Sequence, residues 1–420
     1  MPAPRRGRAK AVATSAGRVY QIERVSGLAR TDPMIDGADT TLARRALLPA
    51  GLNDLLPLDA EHEAKVVGRL MKEFHRNGYE RVKPPLIEFE EALLSGSGAA
   101  LAHQTFRLMD PVSQRMMGLR ADMTLQVARI AATRLHKAPR PLRLSYAGQV
   151  LRVKGTQLRP ERQFGQVGVE LIGSLRPEAD AELVLLAANA LTAVGATGVS
   201  IDLTLPTLVP IVCAALGVEG EDGRALRAAL DRRDAAAVRD LAGAHAALML
   251  RIMEAAGPAP AAVERLAAID LPPEAEPERR RLTEVVRLLT AAAPDMALTI
   301  DPVEQRGFEF QTGLSFTVFA RGVRGELGRG GRYRTGGDPG QGEPAVGFTL
   351  YTDTVLRAIP GPEAPRRVLL PHGTPRDAVA ALQAEGWQTV AALEPVAEPL
   401  VEARRLGCGH VFQDGRAVAV

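Results

Sequence analysis

The sequence has little with which to staple or metallate a fold. Its 420 residues include two cysteines, Cys213 and Cys408. They are too few and too far apart for a disulfide framework or a four-ligand zinc site, so a secreted disulfide scaffold is excluded and a cytoplasmic setting is expected. No uninterrupted apolar run approaches the ~20 residues that span a bilayer. Also missing are GxxxxGK[ST], a complete GxGxxG, HExxH, CxxC and GxSxG, which removes P-loop, dinucleotide, zinc-hydrolase and serine-hydrolase chemistry. No metal and no cofactor is expected. What is present, 46% hydrophobic and 24% charged residues, is the composition of a globular chain, long enough for two or three domains of about 150 residues.

The charge is unevenly placed. Residues 1–30 carry Arg5, Arg6, Arg8, Lys10, Arg18, Arg24 and Arg30 against Glu23, which is +6 and leaves −3 for residues 31–420 of the overall +3. Without an apolar stretch this leader is not a secretory signal, and residues 1–46 are expected to be a disordered basic extension, with Met34 a plausible true start. The body is slightly acidic and offers no compositional argument for nucleic acid.

Periodicity organises the rest. A helix is expected from Asp59, its cap, with Glu61 and Glu63 in the first turn, Ala64, Val67, Leu70, Met71 and Phe74 on the apolar stripe, and Gly78 as the stop. Residues 105–119 read as a hairpin turning at Asp110 and Pro111, followed by a helix after Asp122. Alternation at 142–146 and again at 163–172 predicts adjacent antiparallel strands. Helical segments are expected at 178–195 and 207–295, and strands from 306 to 319. Nine of the 21 residues from 322 to 342 are glycine, which predicts a set of tight turns beside a strand or ligand. After the prolines at 360–365 a small α/β unit is expected. The fold class is α+β, with domains at 47–362, containing a helical insertion at about 207–295, and at 363–420.

In FGQVGVE, alternation puts Gln166, Gly168 and Glu170 on one face and Val167, Val169 and Leu171 on the other. A polar face with a central glycine can floor a pocket, Gly168 leaving room for a ligand between an amide and a carboxylate. An ordinary solvent-facing sheet side is the other reading. Arg152 can reach over the same floor toward a carboxylate or phosphate, although alone it reads as a surface arginine. Asp122 can hold an ammonium group or simply cap its helix. Arg306 opens an apolar strand, where it can also serve as an edge charge.

In order and spacing these segments resemble the class II histidyl-tRNA synthetases and their catalytically silent relatives over about 47–360. GYERVKPPLIE resembles the first class II motif, and LRADMT stands where synthetases carry Arg-Pro-Glu-Gly-Thr. AGQVLRVKGTQLRPERQFGQVGVE resembles the second motif, with Arg152 at the ATP-binding arginine and Gln166 and Glu170 at histidine-contacting positions. QRGFEF is similar to the histidine-specific Arg-Gly-Leu-Asp-Tyr-Tyr segment, bringing in Arg306, and GRGGRY to its glycine-rich loop, bringing in Tyr333. The departures are instructive. Arg-His-Glu becomes Arg152, Val153, Lys154; Asp122 shortens an expected glutamate; the paired tyrosines become Phe310 and Gln311. In AVGFTLYTDTVLRAI, similar to the third motif, Thr354 stands at the arginine position.

The resemblance implies an antiparallel class II sheet flanked by helices and a small C-terminal domain like a shortened anticodon-binding domain. By its departures it implies the synthetase-derived regulatory subunits of ATP phosphoribosyltransferase, which partner a short catalytic subunit in histidine biosynthesis and form hetero-oligomers on a homodimer core. It further implies a histidine-like pocket from Asp122, Arg152, Gln166, Gly168, Glu170, Arg306 and Tyr333, no catalytic residue, and no tRNA charging. A divergent histidyl-tRNA synthetase and a stand-alone histidine sensor are the alternatives.

Overall fold

A computed structural model describes residues 47–94, 96–156, 159–305, 311–336 and 342–420. Within these, the chain divides into two compact units, Leu48–Glu363 and Ala364–Val420. No helix among the described residues is long and apolar enough to cross a membrane.

The first unit is built on a nine-stranded sheet. Its strands run, edge to edge, Glu80–Arg81, Leu142–Leu151, Gln163–Ile172, Glu343–Tyr351, Gly328–Thr335, Ser315–Ala320, Val199–Thr204, Ala297–Asp301 and Gly257–Pro258. The central pairings are antiparallel, with parallel pairs at Glu80–Arg81 against Leu142–Leu151 and at Val199–Thr204 against Ala297–Asp301. The sequence pattern explains the two faces. Val167, Val169 and Leu171 point to one side and are fully buried with Leu70 and Phe74 of the helix Asp59–Arg76 and with Ala187 and Leu191 of the helix Pro177–Val194. The Phe74 ring meets Phe348 edge-on at 5.6 Å. Gln166, Gly168 and Glu170 point to the other side, where Tyr146, Phe164, Tyr333 and Tyr351 pack with Met123 and Val127 of the helix Thr124–Thr133. That face is therefore covered, not solvent-facing.

Local chemistry sets the ends. The first helix begins at Asp59 and takes no side-chain cap from it. Asp59 and Glu61 instead lie in the first turn, where their charge opposes the positive helix end, while Glu63 lies beyond it and accepts a bond from Thr352 Oγ1 at 2.7 Å. Gly78, at φ 83°, supplies the left-handed exit. The strands Ile87–Phe89, Arg107–Met109 and Met116–Leu119 form a small separate sheet. Its turn is held by the Asp110 carboxylate, which accepts from the backbone N–H groups of Val112 and Ser113. Six helices, from Leu208–Ala215 to Glu276–Ala292, fill most of the 207–295 segment and join the larger core.

The glycine-rich segment departs from expectation. Gly328, Gly330 and Gly331 lie in a central strand, not in turns. Glycine is required there by crowding across the sheet: a Cβ would meet the Thr349 carbonyl oxygen at 2.4 Å from Gly328, the Phe316 ring at 2.4 Å from Gly330, and Ser315 Oγ at 2.5 Å from Gly331.

The second unit carries a four-stranded sheet in the order Gln388–Ala391, Arg367–Leu370, His410–Gln413, Arg416–Ala419, with helices Arg376–Ala384 and Pro399–Arg405. Trp387 anchors its core, edge-on to His410 at 4.6 Å and beneath the Arg366 guanidinium at 4.0 Å.

Candidate functional site

On the side of the large sheet that carries Glu170 and the helix Thr124–Thr133 lies a cavity of about 550 Å³, lined among others by Asp122, Arg152, Glu170, Gln311, Gly331, Tyr333 and Gly347. Its floor follows from the register. Glu170 pairs with Gly347, Gly347 with Gly331, and Gly331 with Ser315, a single row across four strands. Directly paired residues project to the same face, so two successive glycines leave that row bare in the middle. The Glu170 carboxylate leans into the gap: a Cβ on Gly347 would stand 1.8 Å from its Oε2.

Glu170 is 1% exposed, and both of its oxygens are held. Oε1 accepts from Tyr146 Oη at 3.1 Å and Oε2 from Tyr333 Oη at 2.8 Å. Burial pushes its carboxyl up to about 8; the bonds from Tyr333, Thr124 and Tyr146 pull it down and the charge of Asp122 adds to the rise. Both tyrosine hydroxyls are pushed well above their ordinary value by burial and by Glu170 itself. A carboxyl poised near neutrality among fixed hydroxyls can receive an N–H donor or a cationic ring.

The raised carboxyl sets a pH dependence. Because the folded chain holds this proton more tightly than the unfolded chain, its stabilising contribution is fully present below the ordinary value of 4.5 and is lost as pH rises through about 8. The melting temperature is expected to fall across that window. Glu170→Gln, which does not ionise, should flatten the fall; identical slopes for the two proteins would refute the assignment. Glu304, raised to about 7 by burial with Asp202 and Asp301 adding to it, has the same sign and leaves a residual slope in the variant.

The expected site residues divide into three groups. Asp122, Arg152, Glu170 and Tyr333 line the cavity together. Gln166 and Gly168 are not among its lining residues. Gln166 is fully buried, and both ends of its amide are engaged: Nε2 donates to Asp122 Oδ2 at 2.7 Å and Oε1 accepts from the Met123 N–H at 2.9 Å. It thereby positions Asp122. The room left by Gly168 is taken by Tyr146, whose Oη lies 2.5 Å from where a Cβ would be. Arg306 lies outside the described residues, as does Phe310. Asp122 does not cap the helix, whose N-cap is Met123 without a side-chain bond; its Oδ1 accepts from the Thr124 N–H at 2.8 Å just ahead of the first turn, and the residue lines the cavity.

Sequence reasoning missed Arg159. Its guanidinium is nearly buried in the cavity wall, stacked 3.8 Å over the Tyr351 ring and 4.9 Å from Phe164, with Nε donating to Asp353 Oδ2 at 3.2 Å. No signal in the chain ties residue 159 to residues 351 and 353. Thr354 also lines the cavity, and its hydroxyl is spent on the Tyr351 carbonyl at 3.1 Å, so the position contributes no positive charge. Arg120 of LRADMT is structural: its guanidinium donates to the Gln149 and Pro84 carbonyls. Among the described residues no cluster could hold a metal ion.

This sheet, with a carboxylate-floored cavity on the face opposite the helices Asp59–Arg76 and Pro177–Val194, is of the α+β class II type, and the family model described as Histidyl-tRNA synthetase matches residues 51–355. The structure of an ATP phosphoribosyltransferase regulatory subunit/histidyl-tRNA synthetase from Bacillus halodurans C superposes at TM-score 0.74 and 23% identity, over 87% of this chain and 97% of that one. A chain of the ATP phosphoribosyl transferase complex from Thermotoga maritima superposes at 0.55 and 17% identity, over 69% and 97%. At such identities these likenesses speak to the fold. In sequence, the ATP phosphoribosyltransferase regulatory subunit of Rhodospirillum centenum is 75% identical over 88% of this chain and 95% of its own length. The chain belongs to the family of ATP phosphoribosyltransferase regulatory subunits.

Proposed function

We propose that the chain activates a short-form ATP phosphoribosyltransferase in the cytoplasm and conveys histidine feedback to it, with histidine seated over Glu170. The observation that carries this reading is the uneven state of the cavity. The end that would receive an amino acid keeps a buried carboxylate fixed by two tyrosines above a bare glycine floor. At the end that would hold a triphosphate Arg152 and Lys154 remain, but Thr354 stands in place of a cation and Arg159 is committed to Asp353. Preorganised positive charge at the phosphates is usually the largest catalytic contribution to such chemistry, and the loss of a cation at position 354 supports a subunit that neither activates histidine nor charges tRNA.

In this role the subunit biases its partner between an active and an inhibited arrangement, which histidine binds with different affinities. The exposed Leu86, Ile87, Met109, Val112 and Met116 around the small sheet support a homodimer core within the hetero-oligomer.

Mixing the chain with the short catalytic subunit should produce phosphoribosyltransferase activity that histidine suppresses, without histidine-dependent ATP–pyrophosphate exchange. In the Glu170→Gln chain the histidine concentration for half-inhibition should rise about tenfold to a hundredfold, the loss expected for a hydrogen bond to a charged group. No co-elution and no activation would overturn the reading.

A further inference from the structure

The helical insertion carries a cavity of its own, of about 320 Å³. Among the described residues that line it, Arg224, Arg227, Ala228 and Asp231 belong to the helix Gly220–Asp231 at the spacing i, i+3, i+4 and i+7, which is a single face. Leu226, Ala229 and Leu230 of the same helix go into the core, so the polar row runs along the edge of the packed side. The remaining lining residue is Gln305, just beyond the strand Ala297–Asp301. None of these residues lines the larger cavity.

Gln305 is held by its backbone. Its N–H donates to Asp231 Oδ1 at 3.2 Å, at the end of the helix. The segment before it is tied down as well: Asp301 accepts from the Val303 N–H at 3.1 Å and from Arg233 Nη2 at 2.6 Å. The side-chain amide is thus fixed in place while its Nε2 is buried and, among the described residues, meets no acceptor. A buried donor without an acceptor is destabilising, and in a cavity wall it calls for an acceptor that arrives with a ligand. In the same lining, neither Arg224 nor Arg227 makes an ion pair or hydrogen bond among the described residues.

We propose that this cavity is a second ligand site, which takes a small oxyanion, a carboxylate or a phosphate group, between Arg224, Arg227 and the Gln305 amide. Two guanidinium forks and an amide N–H supply donors only, which is the recognition set of an oxyanion. Asp231, the acid in this lining, accepts the Gln305 backbone N–H, and two cations stand against its one charge. Ala228 is the short member of the row and leaves the anion room between its neighbours. A site here answers to an anionic metabolite independently of the cavity over Glu170.

The test is calorimetric titration of the full chain with sodium phosphate and, separately, with sodium acetate. Low ionic strength and pH 6 are used, so that the neighbouring Glu304, raised to about 7, holds its proton. Binding at one site is expected, and the tighter of the two anions identifies the class of ligand. Arg227→Ala should weaken that anion about tenfold, and Arg227→Lys should recover part of the loss, since charge returns without the fork. Gln305→Met keeps the length and charge of the side chain but removes the donor, and should also cost about tenfold. Arg224→Ala, at an exposed position, gives the same reading if the Gln305 change impairs folding. Arg152→Ala, in the larger cavity, should leave the affinity unchanged. The site is overturned if neither anion binds, if the heat is lost only in Arg152→Ala, or if the Arg224, Arg227 and Gln305 variants all keep the affinity of the unaltered chain.

Discussion

A Gly347→Ala chain is expected to fold and to lose about a hundredfold in histidine affinity, the cost of displacing a charged hydrogen-bonding group from its ligand. The added methyl would stand 1.8 Å from Glu170 Oε2, 2.5 Å from its Cδ and 2.7 Å from the Val169 carbonyl oxygen. Neither backbone partner can give way, because Gly347 is held between the Glu170 and Gly331 strands. The carboxylate must move, and Tyr333 loses its acceptor. Overpacking of this kind costs about 1–3 kcal/mol of stability, which leaves a folded protein for titration. Calorimetry with histidine checks the outcome, and an unchanged affinity would show that the ligand does not approach Glu170.

The largest effect on stability is expected from Asp180→Ala. Asp180 and Arg332 are buried together, at 1% and 4% exposure, with Arg332 Nε and Nη2 donating to Asp180 Oδ2 at 3.0 and 2.8 Å. Arg281 Nη1 reaches the same oxygen at 3.2 Å, and Arg332 also donates to the Ser174 and Arg176 carbonyls. Burial raises the Asp180 carboxyl and lowers the Arg332 guanidinium, each against the pull of its partner, so the pair stands on mutual compensation. Removing one member strands a buried charge, at about 3–5 kcal/mol. Denaturant titration should register that loss. Asp180→Leu combined with Arg332→Met should recover most of it, since no fully buried charge is then left unpaired and the partly exposed Arg281 can turn to water. The Arg332 strand also carries Tyr333 into the cavity, so the pair secures from behind the strand that presents a tyrosine to Glu170.

The polar face of Gln163–Ile172 was legible because alternation is a property of neighbours in sequence, and Glu170 and its orientation followed from it. The roles of Gln166 and Gly168 were not, because each depends on a partner fixed only by the fold. Gln166 bonds Met123, 43 residues away, and Gly168 makes room for Tyr146 across a strand pair. Gln166, Gly168 and Glu170 share one face and one pattern, yet only Glu170 reaches the cavity. The glycines at 328–331 were misread as turns for the same reason. Their need for hydrogen in place of a side chain comes from Thr349, Phe316 and Ser315 on adjacent strands, and register between strands far apart in sequence leaves no local trace. Thr354 could be singled out from the order of the motifs, whereas Arg159, Asp353 and Tyr351 form a cluster that exists only after the strand end and the hairpin loop meet.

The chain has one tryptophan, Trp387, and it sits in the core of the C-terminal unit against His410 and Arg366. Its emission is therefore a local reporter: it follows the melting of Ala364–Val420 and is blind to Glu170 unless the two units communicate. Heat absorption records both units, so any separation between an optical and a calorimetric transition measures how independently the small unit unfolds. A change of tryptophan colour on adding histidine would be a direct optical sign that occupancy of the cavity is felt in the other unit.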